Sequence, residues 1–173
     1  ASPIGDTLPL LLSLDAKVVL QDKSNKIVLP LKNFFVSYRK TRLKKGQFIH
    51  SIIIPIFKNN IFKAYKISKR IDDDISSVCA SFNLEIINKK IKSVRIAYGG
   101  MAPIPKRAIN CEKMLTNSIF SEKIFKKAEK KLEKDFAPID DMRASKGYRM
   151  LVAKNLLTKC FIEIKKSKLI RIY

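Results

Sequence analysis

The chain has 173 residues, 36 Lys and Arg against 15 Asp and Glu, a formal charge of +21, and 46% hydrophobic residues. It is too apolar for a disordered polyelectrolyte and long enough to bury one core or two small ones. Its longest apolar runs, "LPLLLSL" and "SIIIPIF", fall well short of the ~20 residues of a membrane helix, and "ASPIGD" lacks the basic-then-apolar order of a signal peptide. That opening is polar, loop-like and without an initiator Met, which reads as a chain cut from something longer.

The first element is a hairpin in "AKVVLQDKSNKIVLPL", with Val18 to Leu20 on one arm, Ile27 to Leu29 on the other and a polar turn between. "PLKNFF" is a turn or helical step leading into "SYRKT". "FIHSIIIPIF" is a third strand, continuous enough in Ile to be buried on both faces. "KNN" then marks a boundary near residues 58–60.

Beyond it the period is 2. Val78, Ala80, Phe82, Leu84 and Ile86 alternate with Cys79, Ser81, Asn83 and Glu85; "NKK" turns the chain, and Val94, Ile96 and Tyr98 share a face on the return. With "FKAYKISKR" this predicts an antiparallel sheet of about three strands, Lys66, Ser68 and Arg70 facing away from Tyr65, Ile67 and Lys69. The remainder is helical. Ile124, Phe125, Ala128 and Leu132 form a stripe between Ser121 and Phe136, with Glu122–Lys126 as an i,i+4 pair. After Pro138 a second stripe runs through Tyr148, Leu151, Val152, Leu156 and Cys160. Strands first and helices after give an α+β fold, with helices on one face of an open sheet.

Catalytic constellations are missing. Cys79, Cys111 and Cys160 are odd in number and far apart, which argues against a disulfide framework and fits a reducing cytoplasm. Iron–sulfur clusters and zinc need ligand sets that the chain does not offer. His50 is the only histidine and sits in an apolar run; Gly99-Gly100 is a lone pair, not a phosphate loop. The Lys excess is spread along the chain with no helix-turn-helix or RNA-recognition pattern, so compositional drift explains it better than a nucleic-acid surface. One local feature stands out: scarce carboxylates, Asp72, Asp73 and Asp74, directly follow Lys66, Lys69 and Arg70.

Five motifs occur in a recognisable order: "ASPIGDTLPLLLSLDA", "FFVSYRKTRL", "FKAYKISKRIDDDISSVCASF", "RIAYGGMA" and "DFAPIDDMRASKGYRMLVAKNLL". Together they resemble the flavin-carrying part of the xanthine dehydrogenase family, most of all the small subunit of its bacterial members. The resemblance implies that residues 1–58 are the end of a PCMH-type FAD-binding domain and that 61–166 are the C-terminal domain of molybdenum hydroxylase (CO dehydrogenase-like) flavoproteins, with 167–173 a basic tail. It implies an oxidoreductase of purine catabolism. There FAD passes electrons to NAD, a partner subunit holds the molybdenum cofactor, and iron–sulfur clusters relay electrons. By the same resemblance Asp6, Ile49 and Lys66 meet the FAD, Arg39 belongs to the same neighbourhood, and none is a catalytic acid or base. The aspartate-rich loop would lie beside the flavin ring and be held by ion pairs to Lys69 or Arg70. In the family the glycine-rich loops that cradle the FAD pyrophosphate precede the point matching Ala1, so the resemblance implies an incomplete FAD site. Two other readings follow from the same residues: an FAD-free structural or assembly remnant of that subunit, and a basic nucleic-acid-binding protein.

Overall fold

The computed structural model describes residues 4–70 and 74–166. The basic tail 167–173 and Asp72 and Asp73 lie outside the described residues.

A short helix, α1 (Thr7–Ser13), opens the fold and ends where Asp15 takes a positive φ of 51°. β1 (Lys17–Gln21) and β2 (Lys26–Pro30) form the expected hairpin. Its turn is fixed by the Asp22 carboxylate, which accepts the N–H groups of Ser24 and Asn25 at 3.1 and 2.8 Å. A 3-10 turn over Leu31–Asn33 and the small hairpin β3 (Phe35–Ser37) and β4 (Lys40–Thr41) lead to β5 (Phe48–Ile53). The first sheet has the order β2-β1-β5, antiparallel throughout. Its Val18, Leu20 and Leu29 pack with Leu12, Leu31 and Phe34 into a small core.

The second sheet comprises β6 (Ile61–Ile67), β7 (Val78–Ile87), β8 (Lys90–Gly99) and a two-residue β9 (Lys106–Arg107), in chain order and antiparallel. The "NKK" turn is a tight hairpin because Asn88 and Lys89 both accept positive φ. Val78, Ala80, Phe82 and Leu84 from β7 join Val94, Ile96 and Tyr98 from β8 in the large core. Against this face pack α2 (Ile109–Leu115), α3 (Glu122–Glu129), α4 (Leu132–Asp135) and α5 (Lys146–Lys166). The buried Asp135 carboxylate accepts the N–H groups of Asn110 and Cys111, capping α2 from another helix.

Four expectations need correction. The sheet carries helices on both faces, because α1 covers the back of β7 and β8. There the polar residues of β7 are buried with partners: Ser81 Oγ meets Ser13 Oγ at 2.6 Å, and Asn83 donates to Ser13 O at 3.0 Å and accepts from Asn60 at 2.7 Å. The "FIHSIIIPIF" strand is not buried. β5 is an edge strand, and Phe48, Ile49, Ile52 and Ile53 are all exposed. Helix 121–136 breaks at Lys130–Lys131, and Lys126 pairs with Glu129 at 3.8 Å rather than with Glu122. On α5, Tyr148 and Leu151 face solvent. The buried face keeps Leu156 and Cys160 of the expected stripe and adds Arg149 and Ala153, since Arg149 finds buried acceptors that a hydrophobic pattern does not anticipate.

Candidate functional site

β6 is the edge of the second sheet, and alternation along it sends Tyr65 and Ile67 to the core while Lys66 points to the side occupied by α1. At the entrance to α1, Asp6 meets it: Lys66 Nζ lies 2.8 Å from Asp6 Oδ2 and donates to the Asp74 carbonyl at 2.7 Å. Ser76 Oγ donates to the other oxygen, Asp6 Oδ1, at 2.6 Å, and Cys79 Sγ lies 3.5 Å from the Asp6 carbonyl oxygen. Two residues 60 positions apart, Asp6 and Lys66, therefore form an ion pair in which a hydroxyl orients the carboxylate. The hydrogen bond from Lys66 to Asp6, with that carboxylate's charge, raises the lysine's pKa above its ordinary value, so the ammonium stays charged at neutral pH. Burial, with Asp6 beside it, pushes the Cys79 thiol up to about 12, which removes it as a nucleophile.

The segment after Lys66 folds back on itself. Ser68 donates to Arg70 O at 2.6 Å, the Arg70 N–H donates to Asp74 Oδ2 at 3.1 Å, and the Arg70 guanidinium stands 4.0 Å from Asp74. The Arg70 N–H is the largest influence holding the Asp74 carboxyl below its ordinary pKa. Lys69 instead donates to Met142 O at 2.7 Å, tying the segment to the loop before α5.

That loop forms one wall of a cleft of about 390 Å³ lined by Tyr38, Ser76, Gly100, Pro103, Ile139 and Arg143, among others. Ser76 belongs both to the cleft and to the Asp6–Lys66 cluster, so the ion pair stands at its margin. Arg149 braces the cleft from within. Only 3% exposed, it donates from Nη1 to Ser77 O at 2.6 Å and Gly100 O at 2.8 Å, and from Nη2 to Asp141 at 2.6 Å. Gly100 has φ 80°, and a Cβ there would stand 2.3 Å from Ser77 O, so backbone meets backbone where only glycine fits.

Arg39 sits in the β3–β4 turn at φ 57°, its guanidinium 5.4 Å above the Tyr38 ring that lines the cleft. Ile49 lies on β5 opposite Leu20, in the other sheet from Lys66. Asp6 and Lys66 are thus brought into contact, Arg39 borders the cleft through Tyr38, and Ile49 stands apart from both groups. Sequence reasoning did not single out Ser76, Asp141 or Arg149. The Ser76 signal was its place in the "DDDISS" loop; Arg149 carried none beyond a charge in an apolar stripe. Among the described residues no group of three or more His, Cys, Asp or Glu could hold a metal ion, and no helix is long and apolar enough to cross a membrane.

A fixed ammonium, a carboxylate and a hydroxyl beside an apolar cleft can orient and polarise a flat polar ligand. Solved structures share this fold. Carbon monoxide dehydrogenase from Hydrogenophaga pseudoflava superposes with a TM-score of 0.86 at 20% identity, over 91% of this chain and 55% of that one. Quinoline 2-oxidoreductase from Pseudomonas putida 86 gives 0.83 at 19%, over 94% and 56%. Residues 63–164 match the CO dehydrogenase flavoprotein C-terminal domain, and residues 1–57 match the FAD binding domain in molybdopterin dehydrogenase. The chain belongs to the xanthine dehydrogenase-like molybdenum hydroxylase family and carries part of its FAD-binding domain. Among relatives, Emericella nidulans xanthine dehydrogenase is 35% identical over 70% of this chain but only 9% of its own length. The Sulfolobus acidocaldarius glyceraldehyde dehydrogenase medium chain is 27% identical over 95% of this chain and 58% of its own. The chain therefore spans a small part of the xanthine dehydrogenases and little more than half of the separate medium chain.

Proposed function

We propose that this chain is part of the FAD-carrying unit of a xanthine dehydrogenase, working in the cytoplasm beside a molybdenum-cofactor subunit and delivering electrons from purine oxidation to NAD. The carrying observation is the 2.8 Å Lys66–Asp6 pair oriented by Ser76 at the margin of the cleft. The residue types fit the group. Asp6 keeps lone pairs free for hydroxyl or imide N–H donors, and Lys66 offers a positive charge held in place by two partners. FAD, when bound, supplies the redox chemistry. Lys66 stabilises negative charge arriving at the cleft margin, Asp6 fixes the lysine, and Arg39 and Ile49 extend the contact surface. The names of the xanthine dehydrogenase relatives support the purine assignment, and the three buried free thiols fit a reducing compartment.

The sequence holds no glycine-rich cradle for the two phosphates, the most densely charged part of the cofactor. Each charge-assisted hydrogen bond not made forgoes ~1.5–3 kcal/mol, so several together weaken binding by orders of magnitude. Titration of the chain with FAD, followed by fluorescence quenching, tests the assignment. Weak, salt-sensitive binding is expected, at least about tenfold weaker in Asp6→Ala and Lys66→Ala. Equal binding by both variants would remove the pair from the site. Stoichiometric FAD surviving gel filtration at physiological salt would overturn the argument from the missing cradle. In an assembled subunit, Lys66→Ala should lower the flavin's reduction potential or its retention with the fold intact.

A further inference from the structure

The chain crosses between the first and second sheets twice, and one arginine touches both crossings. On the way into the first sheet, Asp15 follows α1 and turns the chain toward β1 at φ 51°. On the way out, Phe57 lies between β5 and β6. Arg95 of β8 donates from Nε to Asp15 Oδ2 at 2.5 Å, and its guanidinium stands over the Phe57 ring, 5.0 Å from the ring centre. Arg107 of β9 donates to the other oxygen, Asp15 Oδ1, at 3.2 Å. Arg107 is itself held by Glu112 of α2 at 2.9 and 2.7 Å, and Glu112 also accepts the Ile96 N–H at 2.8 Å. Asp15 is therefore tied through both oxygens to neighbouring strands of the second sheet. At the other end of the helix Asp6 meets Lys66 and Ser76, so α1 is pinned at both ends across the back of that sheet. The helix is docked independently of these pins by the contacts of Ser13 to Ser81 and Asn83.

We propose that Arg95 is a positioning residue: it fixes the angle between the two sheets and, through that angle, the width of the cleft. Tyr38 enters the cleft from the segment between the two crossings, whereas Gly100, Pro103, Ile139 and Arg143 enter it from beyond them. A rotation about the crossings moves Tyr38, and Arg39 with it, against that wall. Arginine suits the task, because a guanidinium can hydrogen-bond through its edge to Asp15 and stack on Phe57 in one geometry, and an ammonium cannot. Both side chains of the ion pair are partly exposed, Arg95 at 22% and Asp15 at 38%. Solvent screening keeps what such a pair adds to stability small, so geometry is what it determines. The consequence for FAD rests on the flavin reading of the cleft margin; the positioning of the sheets does not.

The angle is read as a distance, by pulsed electron paramagnetic resonance between two spin labels on the full chain. Labels go on at the exposed positions Lys23→Cys, in the β1–β2 turn, and Lys127→Cys, on α3. The three native thiols are buried and leave the labelling selective. The labelled chain should give one narrow distance distribution. Arg95→Met and, separately, Phe57→Ala should each shift it or broaden it at least about twofold, with Arg95→Lys between. Asp15→Asn keeps a residue that tolerates positive φ, so it removes the charge alone, and it too should broaden the distribution. In the same variants FAD should bind at least about fivefold more weakly. A merely structural role would lower the unfolding midpoint and leave the distances of the folded chain unchanged. That result in Arg95→Met and Phe57→Ala would overturn the proposal. Should Arg95→Met fail to fold, Phe57→Ala and Asp15→Asn decide, since both leave Arg95 in place. Lys66→Ala separates the two readings, because it should weaken FAD binding and leave the distances at wild type. Equal broadening in Lys66→Ala would give the angle to the Asp6 pin and overturn the assignment to Arg95. Altered distances with unchanged FAD affinity would uphold the positioning and count against the flavin reading of the margin alone.

Discussion

Replacing Arg149 by Met tests the brace behind the cleft. Arg149 is 3% exposed and makes three short hydrogen bonds, to Ser77 O, Gly100 O and the Asp141 carboxylate. Each hydrogen bond from a charged donor contributes ~1.5–3 kcal/mol, and each buried carbonyl left without a donor costs about as much as its desolvation. The three contributions share one guanidinium and do not add. The Asp141 side chain is 31% exposed, so solvent screening discounts that contact. Methionine recovers some packing of the stem. The balance is a loss of about 3–5 kcal/mol, a large share of the ~5–15 kcal/mol that keeps a domain folded. At about 2–4 °C per kcal/mol for a chain of this size, Tm should fall by roughly 6–20 °C. Urea denaturation gives the free energy directly, and an unchanged m value would show that the same structure is being unfolded. Arg149→Lys should fall between, because a compact ammonium cannot span acceptors on Ser77, Gly100 and Asp141 at once. A loss below about 1 kcal/mol for the Met variant at constant m would refute the brace.

Two further substitutions probe the same region. Gly100→Ala should destabilise by about 2–4 kcal/mol, since φ 80° and a Cβ 2.3 Å from Ser77 O force the backbone apart; Gly147→Ala, with nothing within 4 Å, should be neutral or stabilising in the same urea assay. Asp141→Asn should flatten the acid limb of the stability curve. Burial opposes ionisation of Asp141, but the N–H groups of Arg143 and Ala144 and the Arg149 guanidinium outweigh it and hold the carboxyl below its ordinary value. A depressed folded pKa gives stability that is fully present above the unfolded value of ~3.9 and lost as pH falls through the folded one. The wild type's advantage should therefore be constant near neutrality and shrink below about pH 4, and parallel curves down to about pH 2 would contradict the assignment.

Local chemistry was enough to determine much of this protein from its sequence. Asp22 with Ser24 and Asn25 specifies a turn, Val78 to Leu84 specify a strand by period, and Asn88-Lys89 permit a tight hairpin, because each depends on neighbours within a few residues. The ordered motifs carried the family and pointed to Asp6 and Lys66. What distance along the chain separates, only the tertiary structure could decide. Ser13, Ser81 and Asn83 look like solvent-facing polar residues until α1 lies over them and supplies their hydrogen bonds. Arg149 breaks an apolar stripe yet is buried, because its acceptors come from Ser77, Gly100 and Asp141 on other elements. The isoleucines of β5 carry the signature of a core strand and are exposed, because periodicity reports what a strand can bury and not whether a neighbour is there to bury it. The Lys66–Asp6 contact is of the same kind: the family resemblance suggested both groups, and the packing of α1 against β7 and β8 put them 2.8 Å apart.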